Sequence, residues 1–405
     1  MRMSKLVIIF LFFGCIGIGF SQSNPFPFAS KQAREKLLIK LNDSIINPSA
    51  NDFLANKRIN WESYAWATAY IIDESKQNFA VLEKALKEYN QLSKSDLQKV
   101  FGSVFACFPN QFVPEIRIIA NGESENEKIF ATAVNYLAQN KVEVKQLLES
   151  KFKNSNHPII QALRNQFQPN YNPISIADLE SIIRFNKDKK SKFLYSIQHQ
   201  DRNKVGKVFI QTESGLLVKE NGKVIFIDQL ARSATNLPMY ITNGNTPVGL
   251  YKINSLHKSE NVFIGPSLAF VTFLPFECDA ATFFNSPTTK FTLENYLSFF
   301  PATLQKNTLL QQTFWAGKAG RTEIHFHGTT IDPNLYIGKE FYPQTPSMGC
   351  LCVNETWDKQ GNLIESGQQK LVNTWLKTPN EKGYAYVLEL QESDWKTFEE
   401  KMNTL

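Results

Sequence analysis

Cysteine is scarce in this chain: five among 405 residues. So few in a chain of this length exclude a disulfide-built scaffold of the kind found in small secreted domains. Also missing is any basic run interleaved with aromatics. The formal charge is +6, and removing Arg2 and Lys5 with a leader would lower it to +4, too mild and scattered for a nucleic-acid binder. No apolar run beyond the N-terminus is long enough to span a bilayer. What is abundant is phenylalanine, with 32 copies, which argues for packed interiors rather than disorder.

The N-terminus reads as a secretory signal over residues 1–21. Arg2 and Lys5 form a basic start, Leu6 to Phe20 is apolar, and Gly19-Phe20-Ser21 offers a small-x-small cleavage site. A membrane anchor is the competing reading, but the run falls short of the roughly 20 residues a spanning helix needs. Lipidation at Cys15 is a third; Phe12-Phe13-Gly14 is a poor run-up to it. Without the leader, Cys107, Cys278, Cys350 and Cys352 remain. A bridge between Cys350 and Cys352 is sterically unattractive in an extended strand. At least one thiol therefore stays free, which in an oxidising compartment suggests a catalytic purpose.

The hydrophobic period changes along the chain. From about residue 30 to 186 it is helical: Ala33, Leu37, Leu38, Leu41 and Ile45 share one face, and Leu97, Val100, Phe101 and Val104 another. Ser93-Lys94-Ser95-Asp96 is a capped start. Short helices with polar breaks predict an α-hairpin array, HEAT-like in its last pairs. Trp61, Tyr64, Trp66 and Tyr70 form a cluster read as core in preference to a glycan-facing stripe. Asn186 to Lys192 is read as an exposed linker. Beyond it come strands separated by turns, expected at Phe193–Ile197, Lys207–Gln211, Leu216–Lys219, Lys223–Ile227, Met239–Thr242, Gly249–Ile253, Ala269–Leu274, Thr322–His327, Gly349–Val353 and Tyr384–Leu390. Helices are expected over Gln368–Leu376 and Ser393–Met402. The fold class is thus α+β: a helical domain over 30–186, a β-rich domain over 193–392 and a C-terminal helix over 393–405.

The chemistry concentrates between Ile324 and Val353. His325 and His327 alternate onto one face of an expected strand, and Gly328 ends it, allowing close backbone approach. Ser347-Met348-Gly349-Cys350 follows a loop, and Gly349 permits a tight turn that presents the thiol. A thiol is a weak nucleophile at its free pKa of about 8.5, and a neighbouring imidazole activates it. Backbone N–H groups of such a turn can serve an oxyanion. Taken singly, each residue is more simply a satisfied strand histidine or a buried thiol; the combination favours catalysis.

At these residues the sequence resembles the L,D-transpeptidase (YkuD-like) catalytic domain. The family's His-Gly and Ser/Thr-x-Gly-Cys motifs match His327-Gly328 and Ser347-Met348-Gly349-Cys350. Its Thr-Pro-x-Gly-x-x-x-Ile segment matches Thr246-Pro247-Val248-Gly249 through Ile253, upstream as in the family. The resemblance covers about 195 to 390. It implies an exported enzyme of the periplasm or cell envelope acting on peptidoglycan stem peptides and forming 3–3 cross-links. Cys350 would be the nucleophile and His327 its base. Gly349, Ser347 and Gly328 would shape the site, and His325 would orient it or touch substrate. No metal or organic cofactor is implied. Water as acceptor would make it a carboxypeptidase or endopeptidase, and a degenerate site a wall-binding module. The helical domain is expected to position the enzyme or meet a protein partner. Three departures stand out: Met348 where the family often has His, Cys352 where it often has Arg, and a longer loop between His327 and Cys350. Arg321 is the expected substitute for the missing arginine.

Overall fold

Helix starts in this chain carry their own caps. The structure, a computed structural model, describes residues 26–123, 125–287, 289–378 and 382–405. The expected export signal lies outside them. Ser30 opens α1 (Lys31–Ile39), which continues through a π-helical stretch (Lys40–Ile46) into α2 (Asn47–Leu54). Pro48 has no N–H to give, and the hydrogen-bond ladder widens just ahead of it. Asn60, Ser75, Ser93 and Asn126 cap α3 (Trp61–Ile71), α4 (Lys76–Lys87), α5 (Lys94–Cys107) and α7 (Glu127–Gln139), with α6 (Val113–Gly122) between the last two. The expected cap at Ser93 is real: its Oγ accepts from Asp96 N at 3.0 Å. After α8 (Lys145–Ser150) and α9 (Pro158–Asn165), a Ser175/Asp178 capping box starts α10 (Ile176–Asn186).

The second half is mixed. Its strands are β1 (Lys192–Gln198), β2 (Gly206–Gln211), β3 (Lys219–Glu220), β4 (Lys223–Val224), β5 (Ile227–Gln229), β6 (Gly249–His257), β7 (Ala269–Phe273), β8 (Phe326–His327), β9 (Leu351–Cys352), β10 (Glu355–Trp357), β11 (Leu363–Ser366) and β12 (Gly383–Glu389). Between them lie α11 (Ala280–Phe284), α12 (Leu293–Leu297), α13 (Gln312–Lys318) and α14 (Gly367–Trp375), with α15 (Phe398–Asn403) last. Eight strands form one sheet in the order β5-β2-β1-β12-β6-β7-β8-β9. The sheet nearly closes on itself, because Leu230, just after β5, exchanges backbone hydrogen bonds of 2.8 and 2.9 Å with Cys352 in β9. The nucleophile candidate thus sits at the seam of a curled sheet.

Strand alternation sends side chains into two separate cores. Phe193, Tyr195 and Ile197 of β1 face outward with Tyr384, Tyr386 and Leu388 of β12, under α10, α13 and α15. Leu194, Ala385 and Val387 face inward, where Leu371, Val372 and Trp375 of α14 plug the curled sheet. Both central strands are buried on both faces, so they read as continuous apolar runs. A third core belongs to the helical half but extends into the sheet domain through Leu237, Tyr240, Ile241, Ile331, Tyr336 and Phe341. Tyr336 donates to Tyr70 O at 2.7 Å, and Arg34 to Thr330 O at 2.7 Å.

Several sequence expectations need correction. Met239–Thr242 is a turn, not a strand, although Met239, Tyr240 and Ile241 are buried as a strand's would be. They pack on the helical half, so burial without a ladder partner imitates a strand's pattern. The Thr322–His327 strand shrinks to Phe326–His327, because Glu323 takes a left-handed conformation at φ 58°. The polar linker is not wholly exposed: Lys192 is buried in β1, donating to Trp375 O and Thr378 O at 2.6 and 2.7 Å. The helix expected over Ser393–Met402 splits into a 3₁₀ turn at Glu392–Asp394 and α15. Although inside the expected helical domain, α10 packs with α15 on the outer face of the sheet.

Candidate active site

The turn before β9 is built so that only glycine fits. Gly349 has φ 118°, and a Cβ there would lie 2.5 Å from Arg321 Nη2 and 2.7 Å from Gly244 O. Ser347 Oγ accepts from Gly349 N at 3.1 Å and donates to Cys350 O at 2.8 Å, bracing the turn from within. The Gly349 N–H is therefore spent on Ser347 and is not a free oxyanion donor. Thr246 Oγ1 donates to Gly349 O at 2.8 Å. Two segments about a hundred residues apart in sequence, both part of the same resemblance, thus meet at the turn.

Arg321 does not take the place of the expected substrate-facing arginine. Its guanidinium is buried beneath the turn and donates to Met239 O, Asn245 O (2.7 Å) and Gly244 O (3.0 Å). Burial pushes its pKa down to about 10. It pins the 239–245 loop, and its charge opposes the rise of the Cys350 pKa.

The Cys350 thiol accepts from His325 N at 3.3 Å and donates to Glu323 O at 3.4 Å. It is the left-handed bend at Glu323 that brings this carbonyl and N–H to the sulfur. Glu277 holds the bend, accepting from Glu323 N at 2.8 Å and from Leu274 N at 2.9 Å. Sequence reasoning passed over Glu277, since nothing in its neighbourhood marks it. The His325 ring accepts from Thr272 N at 3.3 Å and is absent from the cavity that holds the thiol. His325 thus serves Cys350 through its backbone.

His327 is 5% exposed, with Nδ1 donating to Gly328 O at 2.7 Å. That bond selects the tautomer with a bare Nε2, the form a general base needs. Gly328 O also accepts from Gly265 N at 3.2 Å, so a second backbone does approach at this glycine. A carboxylate approaches too: a Cβ at either Gly265 or Gly328 would strike Glu355. Glu355 is buried, accepts from Ser267 Oγ at 2.5 Å and Ser366 Oγ at 2.7 Å, and its pKa is raised by burial. Cys352 Sγ lies 3.8 Å from His327 Nδ1 in a fully buried position, its pKa also raised by burial.

His327, Ser347, Cys350 and Cys352 open on one cavity of about 140 Å³. Its far wall comes from the helical half: Trp66 and Tyr70 of α3, against Phe263, whose ring stands 5.8 Å from that of Tyr70. Of the aromatic cluster, Trp61, Tyr64 and Tyr70 are core as expected, while Trp66 is only partly buried and faces cavities. All four described cysteines are free. No group of three or more His, Cys, Asp or Glu among the described residues is placed to hold a metal ion.

The resting pair is neutral. Burial pushes the Cys350 thiol up to about 11 and the His327 imidazole down to about 4. Transferring a proton from a thiol so raised to an imidazole so lowered is uphill, so neither group is charged at neutral pH. Compared with known proteins, the chain matches no family model, no curated protein and no solved structure.

Proposed function

We propose that this protein is an exported cysteine acyltransferase of the L,D-transpeptidase kind, acting on peptidoglycan stem peptides. One observation carries the reading most: His327, its tautomer set by Gly328 O, and Cys350, presented by a glycine-only turn, open on one small cavity. In this mechanism Cys350 Sγ attacks a peptide carbonyl as His327 takes the thiol proton. The C–N bond breaks, the imidazolium returns the proton to the departing amine, and a thioester remains. An acceptor amine then attacks the thioester, loses its proton to His327 and releases the thiol as an amide forms.

The family resemblance, with the meeting of Thr246 and Gly349, supports the L,D-transpeptidase assignment for the sheet domain. The helical half is read as an α-hairpin array of HEAT-like type, supported by the packing of alternate helices, α2 on α4 and α3 on α5. Location in the periplasm or envelope rests on the N-terminal sequence. No helix among the described residues is long and apolar enough to cross a membrane.

The test uses tetrapeptide muropeptides and product mass. Wild type is expected to form a cross-linked dimer with loss of the terminal residue, and Cys350→Ala or His327→Ala to form none. A carbapenem should add its mass to wild type and not to Cys350→Ala. Loss of a residue without dimer would identify water as the acceptor. Undiminished turnover by Cys350→Ala would overturn the proposal.

A further inference from the structure

A larger groove of about 670 Å³ lies between the two halves of the molecule and shares Trp66 and Met348 with the thiol cavity. One wall is helical, from α3, α5 and α7; the other is the sheet domain's 235–243 loop and Met348. Its charge is lopsided, with Lys94, Lys99 and Lys128 against Glu62. Lys99 pairs with Glu62 at 3.3 Å, and Lys94 pairs with Glu123. Lys128 has no carboxylate partner among the described residues, and its pKa is lowered by burial and by the charge of Lys99. A partly buried cation beside another cation is costly and is relieved by an anion.

Gln98 adds an independent observation. Both its amide oxygen and its amide nitrogen are shielded from solvent and lack a hydrogen-bond partner. Such a group is destabilising until it is satisfied. A side-chain amide offers one acceptor and two donors, a match for a backbone peptide unit. The cation and the amide stand on neighbouring helices of one groove, and Met348, itself 40% exposed, lines both that groove and the cavity that holds Cys350.

We infer that this groove, lined by Gln98 and Lys128, binds a carboxylate-bearing peptide strand and delivers it past Met348 to Cys350. The substrate-selecting surface is then built largely by the helical half, and the missing arginine near Cys350 is replaced by lysines on another part of the molecule. This rests on the acyl-transfer reading of Cys350 for the identity of the strand as a stem peptide, but the binding itself is measured without turnover.

The test is calorimetric binding to full-length Cys350→Ala of a synthetic acidic tetrapeptide stem and of its fully amidated counterpart. The acidic peptide should bind more tightly. Lys128→Ala should weaken it roughly tenfold, the scale of a lost hydrogen bond to a charged group, and leave the amidated peptide unchanged. Gln98→Leu should weaken both peptides severalfold while the melting temperature stays level or rises, since an unsatisfied buried amide is removed. A merely structural glutamine would not separate those two readouts. Equal binding of both peptides, no binding of either, or Lys128→Ala affinities equal to the parent's would overturn the inference. Binding that depends on Lys128 in a protein that never acylates would keep the groove and sink the acyl-transfer reading. Acylation of otherwise wild-type protein with KM unchanged by Lys128→Ala would do the reverse.

Discussion

The Cys350 thiol and the His327 imidazole are each displaced by burial away from the ion-pair state. Alkylation of Cys350 by iodoacetamide should therefore rise steeply with pH above about 9, read against Cys350→Ala as background. A rate already level between pH 6 and 8 would show a resting thiolate instead. The same burial links His327 to stability. Its folded pKa of about 4 lies below the ordinary 6.5, so the unfolded chain binds the proton first. The stabilisation is complete above pH 6.5 and drains as pH falls toward 4, by on the order of 3 kcal/mol. Urea midpoints of wild type should fall between pH 7.5 and 5 by more than those of His327→Gln; parallel curves would refute the link. Gly349→Ala should cost about 1–3 kcal/mol and most of the activity, because the left-handed turn has no room for a Cβ.

Short elements do the positioning. Two residues of β8 and two of β9 pair in parallel, Phe326 with Leu351 and His327 with Cys352, which sets Cys350 beside His325 and leaves His327 two residues along the same strand. Strands this brief hold because their neighbours are held. The Glu323 bend is fixed by Glu277, so Glu277→Ala should lower kcat at least tenfold with little loss in melting temperature, while Glu277→Gln, which keeps an acceptor, recovers part of it. Equal activity in all three proteins would show the bend to be self-supporting. The plug of the curled sheet is α14: Trp375, 1% exposed, packs edge-on to Phe270 with ring centroids 5.5 Å apart. Trp375→Ala should cost about 3–5 kcal/mol by leaving a cavity there.

The whole molecule folds around cores that ignore the midpoint of the chain. Leu237, Tyr240, Ile331 and Tyr336 of the sheet domain belong to the core of the helical half. A fragment beginning near residue 192 should therefore expose a sizeable apolar face and melt well below the full chain, with dye binding to the uncovered surface. A fragment as stable as its parent would contradict this shared core. At this scale the helical half is a wall of the site, contributing Trp66 and Tyr70 to the thiol cavity and Gln98 and Lys128 to the groove.

Residue types and spacing made much of this legible. Short apolar runs between turn residues marked β1, β2, β6 and β12; the Ser93 cap marked the start of α5; and His327-Gly328 with Gly349-Cys350 marked the candidate site. Those signals are local, arising from periodicity, capping or the backbone freedom of glycine, and a local signal survives in one dimension. Tertiary structure alone decided the rest. It sent Arg321 under the turn rather than into the cavity, because its donors meet three carbonyls from a distant loop. It turned Met239–Ile241 from an expected strand into a docking turn, it made a cavity wall of Trp66, which was read as core, and it recruited Glu277 and Glu355, which carry no mark in their own neighbourhoods. Each depends on which far segment arrives opposite, and that is fixed only when the sheet curls and the helical half closes over its seam.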